Sequence, residues 1–167
     1  MQKIFLLLIT ASLLLASCDR YGKKVEINNN SEVFYKDEAT ESEAKRLGNF
    51  LLDRNFFDSQ NEKSVQLSKD SGIYTVRFVV DKASYETDKE NTLLGFRVWQ
   101  MWISEDVFNM AKTKVVLVDD QFNDLADAGE LTPELKAAVR AEQLNSITPD
   151  AGATTPDSSR MDNTRVE

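Results

Sequence analysis

Carboxylates are the only abundant reactive side chains in this chain. It has 28 Asp and Glu residues, no histidine and one cysteine, Cys18. A pair of carboxylates that faces a substrate across a cleft can hydrolyse a glycosidic bond. Nothing in the spacing brings two particular carboxylates together, and without histidine neither a Ser-His-Asp nor a Cys-His arrangement can form. The residue types therefore predict a protein that is not an enzyme.

The densest group of oxygen-bearing side chains follows the last strongly apolar segment. It consists of Asp119, Asp120, Asn123, Asp124 and Asp127. Oxygen ligands suit Ca²⁺, but the spacing does not match an EF-hand, whose required glycine would fall at Asp124 if Asp119 came first. We interpret the group as a solvated, charged strand end and linker, and we predict neither a metal nor another cofactor.

Cys18 is the one nucleophile whose surroundings indicate a specific chemistry. It follows a short n-region with one positive charge, Met1-Gln2-Lys3, and an almost unbroken apolar run from Ile4 to Leu15. The residues Leu15-Ala16-Ser17-Cys18 resemble the bacterial lipobox, which is an aliphatic residue, two small residues and then cysteine. The resemblance implies export, cleavage before Cys18 and anchoring in a membrane of the bacterial cell envelope by acyl chains on that residue.

Two other interpretations of the leader fit less well. The apolar run has about a dozen residues, whereas a membrane-spanning helix needs roughly 20. A secretory peptide without lipidation would need small residues at −3 and −1, and cleavage before Cys18 would put Leu15 at −3. Asp19 resembles an inner-membrane retention signal of enteric-type bacteria. Other groups of bacteria do not use that position in the same way, so this residue does not decide which membrane leaflet carries the anchor.

The charge of the chain limits its partners. The net charge is −8 at pH 7, which argues against nucleic-acid binding by bulk electrostatics. An anionic membrane surface would repel such a chain, so the lipid must provide the anchoring. Acylation of Cys18 would leave no thiol for disulfides or metal binding. We therefore expect two partners, the membrane through acylated Cys18 and a protein of the envelope.

The composition and the hydrophobic pattern divide the chain into five segments. We predict a signal peptide at 1–17, a polar tether at 18–24, an α+β domain at 25–122, an acidic linker and helix at 123–146, and a disordered tail at 147–167. The tail is rich in Ser, Thr, Pro, Asp and Asn and has almost no large apolar residue, so it cannot bury a core. The helix before it starts at Thr132-Pro133, with Thr as N-cap.

Within the domain, alternation and turn residues predict strands, and 3.6-residue periodicity predicts helices. The strands lie near 25–27, 32–36, 64–68, 73–80 and 114–118; the first helix runs from about 41 to 57, and the second follows a charged loop at 81–90 and ends near 109–110. Thr40 and Glu43 fit a capping box. The first helix should bury Ala44, Leu47, Gly48 and Leu51, with Asn55 as a further candidate, and Gly48 should lie close to the sheet.

The order ββαββαβ predicts an α+β fold. We expect a two-layer sandwich: a mostly antiparallel sheet of about five strands, two helices on one face, and an added C-terminal helix. A ferredoxin-like or split βαβ arrangement would fit this order, but the strand order itself stays open. Residues 32–118 resemble small uncharacterised α+β modules of bacterial envelope proteins, through a hairpin, then Thr40-x-x-Glu43-Ala44-x-x-Leu47-Gly48, then an aromatic helix end. This resemblance supports the fold and implies no activity.

Two residues are candidates for contact with a partner. Trp99 falls between the apolar positions of the second helix, and Arg77 lies on the wetter face of the longest strand. An exposed tryptophan is a typical contact residue, whereas an edge salt bridge is the alternative for Arg77. We expect a non-catalytic, lipid-anchored envelope protein that acts as a protein-interaction or assembly module; the alternative is an envelope lipoprotein that binds a small molecule or a glycan.

Overall fold

The computed structural model describes residues 18–58 and 60–147. The strands are β1 (Lys23–Asn28), β2 (Ser31–Asp37), β3 (Lys63–Asp70), β4 (Ile73–Val79), β5 (Thr113–Val118) and β6 (Asp124–Asp127). The helices are α1 (Cys18–Tyr21), α2 (Glu41–Asp53), α3 (Lys82–Thr87), α4 (Lys89–Trp102), a π-helix (Ile103–Val107) and α5 (Pro133–Ile147). The predicted α+β class is confirmed. The predicted leader at 1–17 and the predicted tail beyond residue 147 lie outside the described residues.

The six strands form one mixed sheet in chain order, β1-β2-β3-β4-β5-β6. The pairs β1/β2, β3/β4 and β5/β6 are antiparallel, whereas β2/β3 and β4/β5 are parallel. Parallel neighbours require a crossover, and α2 supplies the first while α3 and α4 supply the second. Antiparallel pairs predominate as predicted, but the sheet has six strands instead of about five, and its sequential order is not ferredoxin-like.

Helix α2 forms as its sequence predicts. The Thr40 hydroxyl accepts from the Glu43 N–H at 3.3 Å, and the Glu43 carboxylate accepts from the Thr40 N–H at 2.8 Å, which completes the capping box. The helix buries Ala44, Leu47, Gly48 and Leu51 as predicted. A Cβ added at Gly48 would overlap the Ile27 side chain, which confirms the close approach to the sheet.

The end of α2 differs from the prediction. The helix stops at Asp53 instead of near Phe57, and the exposed Asn55 follows with a positive φ of 58°. Asparagine tolerates this left-handed conformation. The chain then turns back, so that Phe57 enters the core, where it is 1 % exposed. The apolar spacing typical of a helix continues in the sequence to Phe57, but the turn at Asn55 ends the helix before that residue.

The sheet has two different faces. The inner face carries the helices and the main core, and it includes Val33, Val65, Leu67, Val76, Phe78, Val115 and Leu117, all fully buried. Alternation along the strands sends their neighbours to the opposite side, which we call the outer face; the register aligns Lys24, Phe34, Gln66, Arg77 and Val116 across it. The predicted apolar face of β4 therefore meets the core, and Arg77 lies outside it.

Three segments predicted to be irregular are structured. The charged loop at 81–90 contains α3 and the start of α4, because Asp81 caps α3 by accepting from the Ser84 N–H at 2.8 Å and Tyr85 is buried. The linker from 123 contains β6, which pairs with β5 while Leu125 and Ala126 pack against the core. Pairing at a sheet edge lets a short acidic segment form a strand that composition alone disfavours.

The third segment is the predicted tether at 18–24, which forms α1 and the first residues of β1. The C-terminal helix α5 also belongs to the folded unit, because it contacts α4 and its Arg140 pairs with Glu105 of the π-helix. Among the described residues, no helix is long and apolar enough to span a bilayer.

Candidate functional site

The N-terminal turn lies on the outer face of the sheet. The ring of Tyr21 packs between Phe34 of β2 and Phe122 of the β5–β6 loop, with centroid distances of 5.9 and 5.5 Å. The side-chain amide of Gln66, which is only 2 % exposed, donates to the carbonyl oxygens of Arg20 at 2.9 Å and Tyr21 at 3.1 Å. Both the backbone and the side chain of this turn are therefore fixed on the sheet.

Local backbone geometry brings the turn to this position. Gly22 joins α1 to β1 with a φ of +83°, and a Cβ there would overlap the carbonyl oxygen of Tyr35. This residue therefore has to be glycine, because only glycine combines a positive φ with so close an approach to a neighbouring strand.

The acidic group after β5 shapes the loop that covers the turn. The Asp119 carboxylate accepts from the backbone N–H groups of Gln121 at 2.9 Å and Asn123 at 2.8 Å. Hydrogen bonds, above all from the Asn123 side chain, hold the pKa of Asp119 below its usual range. The loop places Phe122 over the outer face. In the described part of the chain, no three Asp, Glu, Cys or His residues gather into a possible metal site.

Arg77, one of the two predicted contact residues, is engaged on the outer face. Its Nε donates to Asp124 at 3.1 Å, and a terminal nitrogen donates to the Ser68 hydroxyl at 3.1 Å. Its side chain is 22 % exposed, whereas that of Asp124 is 58 % exposed. The arginine therefore ties β6 to the centre of the sheet.

Trp99, the other predicted contact residue, lies in a cluster of rings between α2 and α4. It makes edge-to-face contacts with Phe50 at 6.2 Å, Phe56 at 5.6 Å and Trp102 at 5.5 Å. The Arg54 guanidinium covers the rim of the cluster, 4.9 Å from the Trp102 ring centroid. We call Phe50, Arg54, Trp99 and Trp102 the helix groove. Its three aromatic residues are half-buried.

A buried carboxylate joins α2 to the sheet. Glu43 accepts from the Tyr74 hydroxyl at 2.5 Å and from Lys69 at 3.0 Å, in addition to its capping bonds. Burial opposes ionisation, but the bonds from Tyr74, the Thr40 backbone and Lys69 outweigh it and lower the pKa of Glu43 from 4.5 to about 2. The Tyr74 ring stacks on Phe108 at 3.8 Å. This arrangement holds a proton-free carboxylate, which suits a structural role.

A protein-family model covers almost the whole sheet. The AF_1994_N model, a family N-terminal domain, matches residues 24–130, which run from the second residue of β1 to a point just after β6. The chain belongs to the AF_1994_N family. The AF_1994_N domain thus contains both faces described above, while α1 and α5 flank it. No curated protein and no solved structure matches the chain.

The AF_1994_N domain also has a polar cavity at the β1–β2 turn. The cavity has a volume of about 540 Å³. Its lining includes Glu26, Asn29, Asn30, Glu32, Glu62 and Lys63. A site of several hundred Å³ with converging polar groups is what a small-molecule binding protein would need. None of the described residues that line it is aromatic, so they provide no stacking platform of the kind that sugars commonly use.

Sequence reasoning missed the partners that complete these sites. Tyr21 and Phe122 each stand alone in polar segments, and an isolated aromatic residue in such a setting is the signal that points to packing elsewhere. The capping role of Glu43 was predicted, but its bonds to Lys69 and Tyr74 were not, because they join residues far apart in the chain.

Proposed function

We propose that the chain is a lipid-anchored protein of the bacterial cell envelope whose AF_1994_N domain is a non-catalytic protein-interaction or assembly module. The leader and the lipobox at Leu15-Ala16-Ser17-Cys18 support the anchor. The observation that carries the proposal furthest is the docking of Arg20 and Tyr21 on the outer face through Gln66. It links the position of the anchor to the orientation of the domain.

The chain between anchor and domain is too short to let the domain turn freely. Tyr21 is three positions after Cys18, and even fully extended these three steps span at most roughly 11 Å. Acyl chains on Cys18 would therefore hold the outer face towards the bilayer, and the helices would point away from it. In this orientation Arg77 lies on the membrane side, while Trp99 lies on the side that a protein partner can reach.

The helix groove has the composition of a contact surface. Tryptophan and arginine are enriched where interfaces gain most of their affinity, and the guanidinium of Arg54 lies against both Phe50 and Trp102. Leu94 on α4 is 37 % exposed and adds apolar surface to that helix. We therefore assign the protein contact to the helix groove, with Trp99 at its centre.

The anchor is tested by labelling cells with a fatty-acid analogue. The wild-type chain should carry the label and Cys18→Ala should not, and intact mass should place the mature N-terminus at Cys18. A wild-type chain without label would remove the lipid anchor from the proposal. This readout does not depend on whether the mutant stays in the membrane fraction with an uncleaved leader.

The orientation is tested with fluorescent labels on single cysteines in vesicles that contain quencher lipids. Lys114→Cys places the label on the outer face of β5, and Lys45→Cys places it on the exposed side of α2. The label at 114 should be quenched more strongly. Equal quenching at both positions would contradict a fixed orientation while leaving the anchor untouched.

The partner is tested by affinity capture from detergent-solubilised envelope. Wild-type protein should capture a stoichiometric partner. Arg54→Glu should abolish this capture, because it reverses the charge at the rim of the groove. Leu52→Ser is the matched control, since Leu52 is 37 % exposed on the other flank of α2 and its loss should leave the partner bound. Capture that is insensitive to Arg54→Glu would refute the helix groove as the contact surface.

The second candidate function is binding of a small molecule or a glycan, and the cavity of about 540 Å³ at the β1–β2 turn favours it. A thermal-shift screen of metabolites and envelope oligosaccharides tests it. A ligand whose effect disappears in Glu62→Gln and persists in Arg54→Glu would favour this function over protein binding.

A further inference from the structure

A second cavity lies between the C-terminal half of α4, the π-helix and α5, apart from the surfaces described above. Its volume is about 220 Å³, which holds about seven water molecules at ~30 Å³ each. The polar residues around it include Arg97, Gln100, Glu105, Lys112, Glu130 and Lys136. The cavity is therefore the size of a small solute and is surrounded by charged side chains.

The charge of this cavity is opposite to that of the chain. Arg140 pairs with Glu105 at its edge, which neutralises both. The Nε of Arg97 donates to the carbonyl oxygen of Ala128 at 2.5 Å, and this bond fixes the guanidinium at the wall. Four basic and two acidic side chains line the cavity, so it carries a positive excess within a chain of net charge −8.

Two of the lysines at the cavity have no carboxylate partner. Within residues 18–58 and 60–147, neither Lys112 nor Lys136 lies within ion-pairing distance of an Asp or Glu. Lys112 comes from the segment before β5, and Lys136 comes from the first turns of α5. Two separate elements thus bring an unneutralised cation to the same cavity.

A buried amide supplies a neutral donor at the same place. Gln100 is only 9 % exposed, and its Oε1 accepts from the Val115 N–H at 2.9 Å. Because the oxygen is held by the backbone of β5, the amide nitrogen with its two hydrogens is the group left for the cavity. Since Gln100 lines the cavity, its amide N–H groups can donate to an acceptor placed there.

The π-helix contributes Ser104 and Glu105 to the lining of the cavity. The Phe108 N–H donates to the Ile103 carbonyl at 3.1 Å, which closes an i→i+5 turn. The extra residue lets Ile103 and Val107 both enter the core and shifts Ser104 and Glu105 towards the cavity. Such π turns inside helices occur frequently at functional sites.

We propose that this cavity binds a small oxyanion, a solute that carries a carboxylate or phosphate group. Lys112 and Lys136 would neutralise its charge, and the Gln100 amide would donate to one of its oxygens. Ammonium and amide donors that converge in a half-enclosed space are the chemistry that recognises such groups. Since the site involves neither Cys18 nor the helix groove, it does not depend on the function proposed above.

The test is isothermal titration calorimetry of the purified full-length mature chain with two probes, sodium phosphate and sodium succinate, at an ionic strength held constant with NaCl. One probe should give saturable binding. The double variant Lys112→Gln/Lys136→Gln should weaken it at least about tenfold, because two charge-assisted contacts are lost. Lys114→Gln, which removes a neighbouring lysine on the outer face, should leave the affinity unchanged.

Each outcome decides the proposal. Saturation by phosphate alone or by succinate alone supports it and identifies the group recognised. No saturation by either probe, or equal weakening by Lys114→Gln and the double variant, overturns it. The melting temperature without probe separates lost binding from lost folding, and both lysines lie at the protein surface, where substitution should leave that temperature within a few degrees of the wild type.

Discussion

The carboxylate of Glu43 should make the stability of this fold depend on pH in the acidic range. The pKa of Glu43 in the folded chain is about 2, against 4.5 without its partners. At about 1.4 kcal/mol for each pH unit, ionised Glu43 contributes roughly 3 kcal/mol to folding. Its side chain is only 12 % exposed, and that of its partner Lys69 is 26 % exposed, so solvent screens these bonds weakly.

The direction of the pH dependence follows from the lowered pKa. The unfolded chain binds a proton at Glu43 near pH 4.5, whereas the folded chain resists protonation down to about pH 2. The contribution is therefore complete above about pH 5 and is lost as the pH falls from 5 to 2. Glu43→Gln keeps the size of the side chain but removes the charge, and it should lower the free energy of unfolding by roughly 2–3 kcal/mol at pH 7.

Urea unfolding followed by tryptophan fluorescence, repeated between pH 7 and pH 2.5, measures this effect. The difference between wild type and Glu43→Gln should shrink steadily below pH 5. Glu41→Gln is the matched control in the same helix turn, because Glu41 is 56 % exposed and its ion-pair partner Lys45 is equally exposed, so its loss should cost far less than the loss of the Glu43 charge. A difference that stays constant with pH, or an equal cost for both variants, would refute the reasoning.

Three further changes test how the sheet and its helix are held together. Tyr74→Phe removes the hydroxyl that donates to the Glu43 carboxylate, and it should lower the free energy of unfolding in urea by roughly 1.5–3 kcal/mol. A decrease below about 0.5 kcal/mol would show that this hydrogen bond does not stabilise the fold. Gly48→Ala should cost roughly 1–3 kcal/mol despite the better helix propensity of alanine, because its Cβ overlaps Ile27, and adding Ile27→Ala should recover part of the loss. Ser71 has a φ of 49° before Gly72 at 79°, so Ser71→Asn should gain roughly 0.5–1 kcal/mol by thermal unfolding, since Asn-Gly is the preferred pair for this turn; a loss would contradict the turn assignment.

Local signals explain where the predictions succeeded. The capping box at Thr40 and Glu43, the buried stripe of α2 and the alternation of β4 depend on interactions within a few residues, and all three are present in the structure. The prediction ended α2 too late and made 81–90 a loop. In both segments one aromatic residue, Phe57 or Tyr85, is buried in the hydrophobic core, which forms only when the chain folds.

The candidate sites needed the fold. Trp99 was singled out from the sequence, but its neighbours Phe50 and Phe56 come from another helix and the loop after it. Arg77 was placed on the correct face of its strand, yet its partner Asp124 belongs to a strand that was predicted to be a linker. A sequence shows which face a residue occupies, but not which distant segment meets it there.

The sequence by itself determined the α+β class, the helix-facing side of the sheet and the acidic charge, because each depends on composition or on periodicity along the chain. The tertiary structure alone decided the order of the six strands, the docking of Tyr21 under Phe122, and the cationic cavity beside the π-helix. The physical reason is the same for all three. They join residues separated by tens of positions, and the free energy of those contacts depends on how helices and strands pack together and not on the local preference of any one of them.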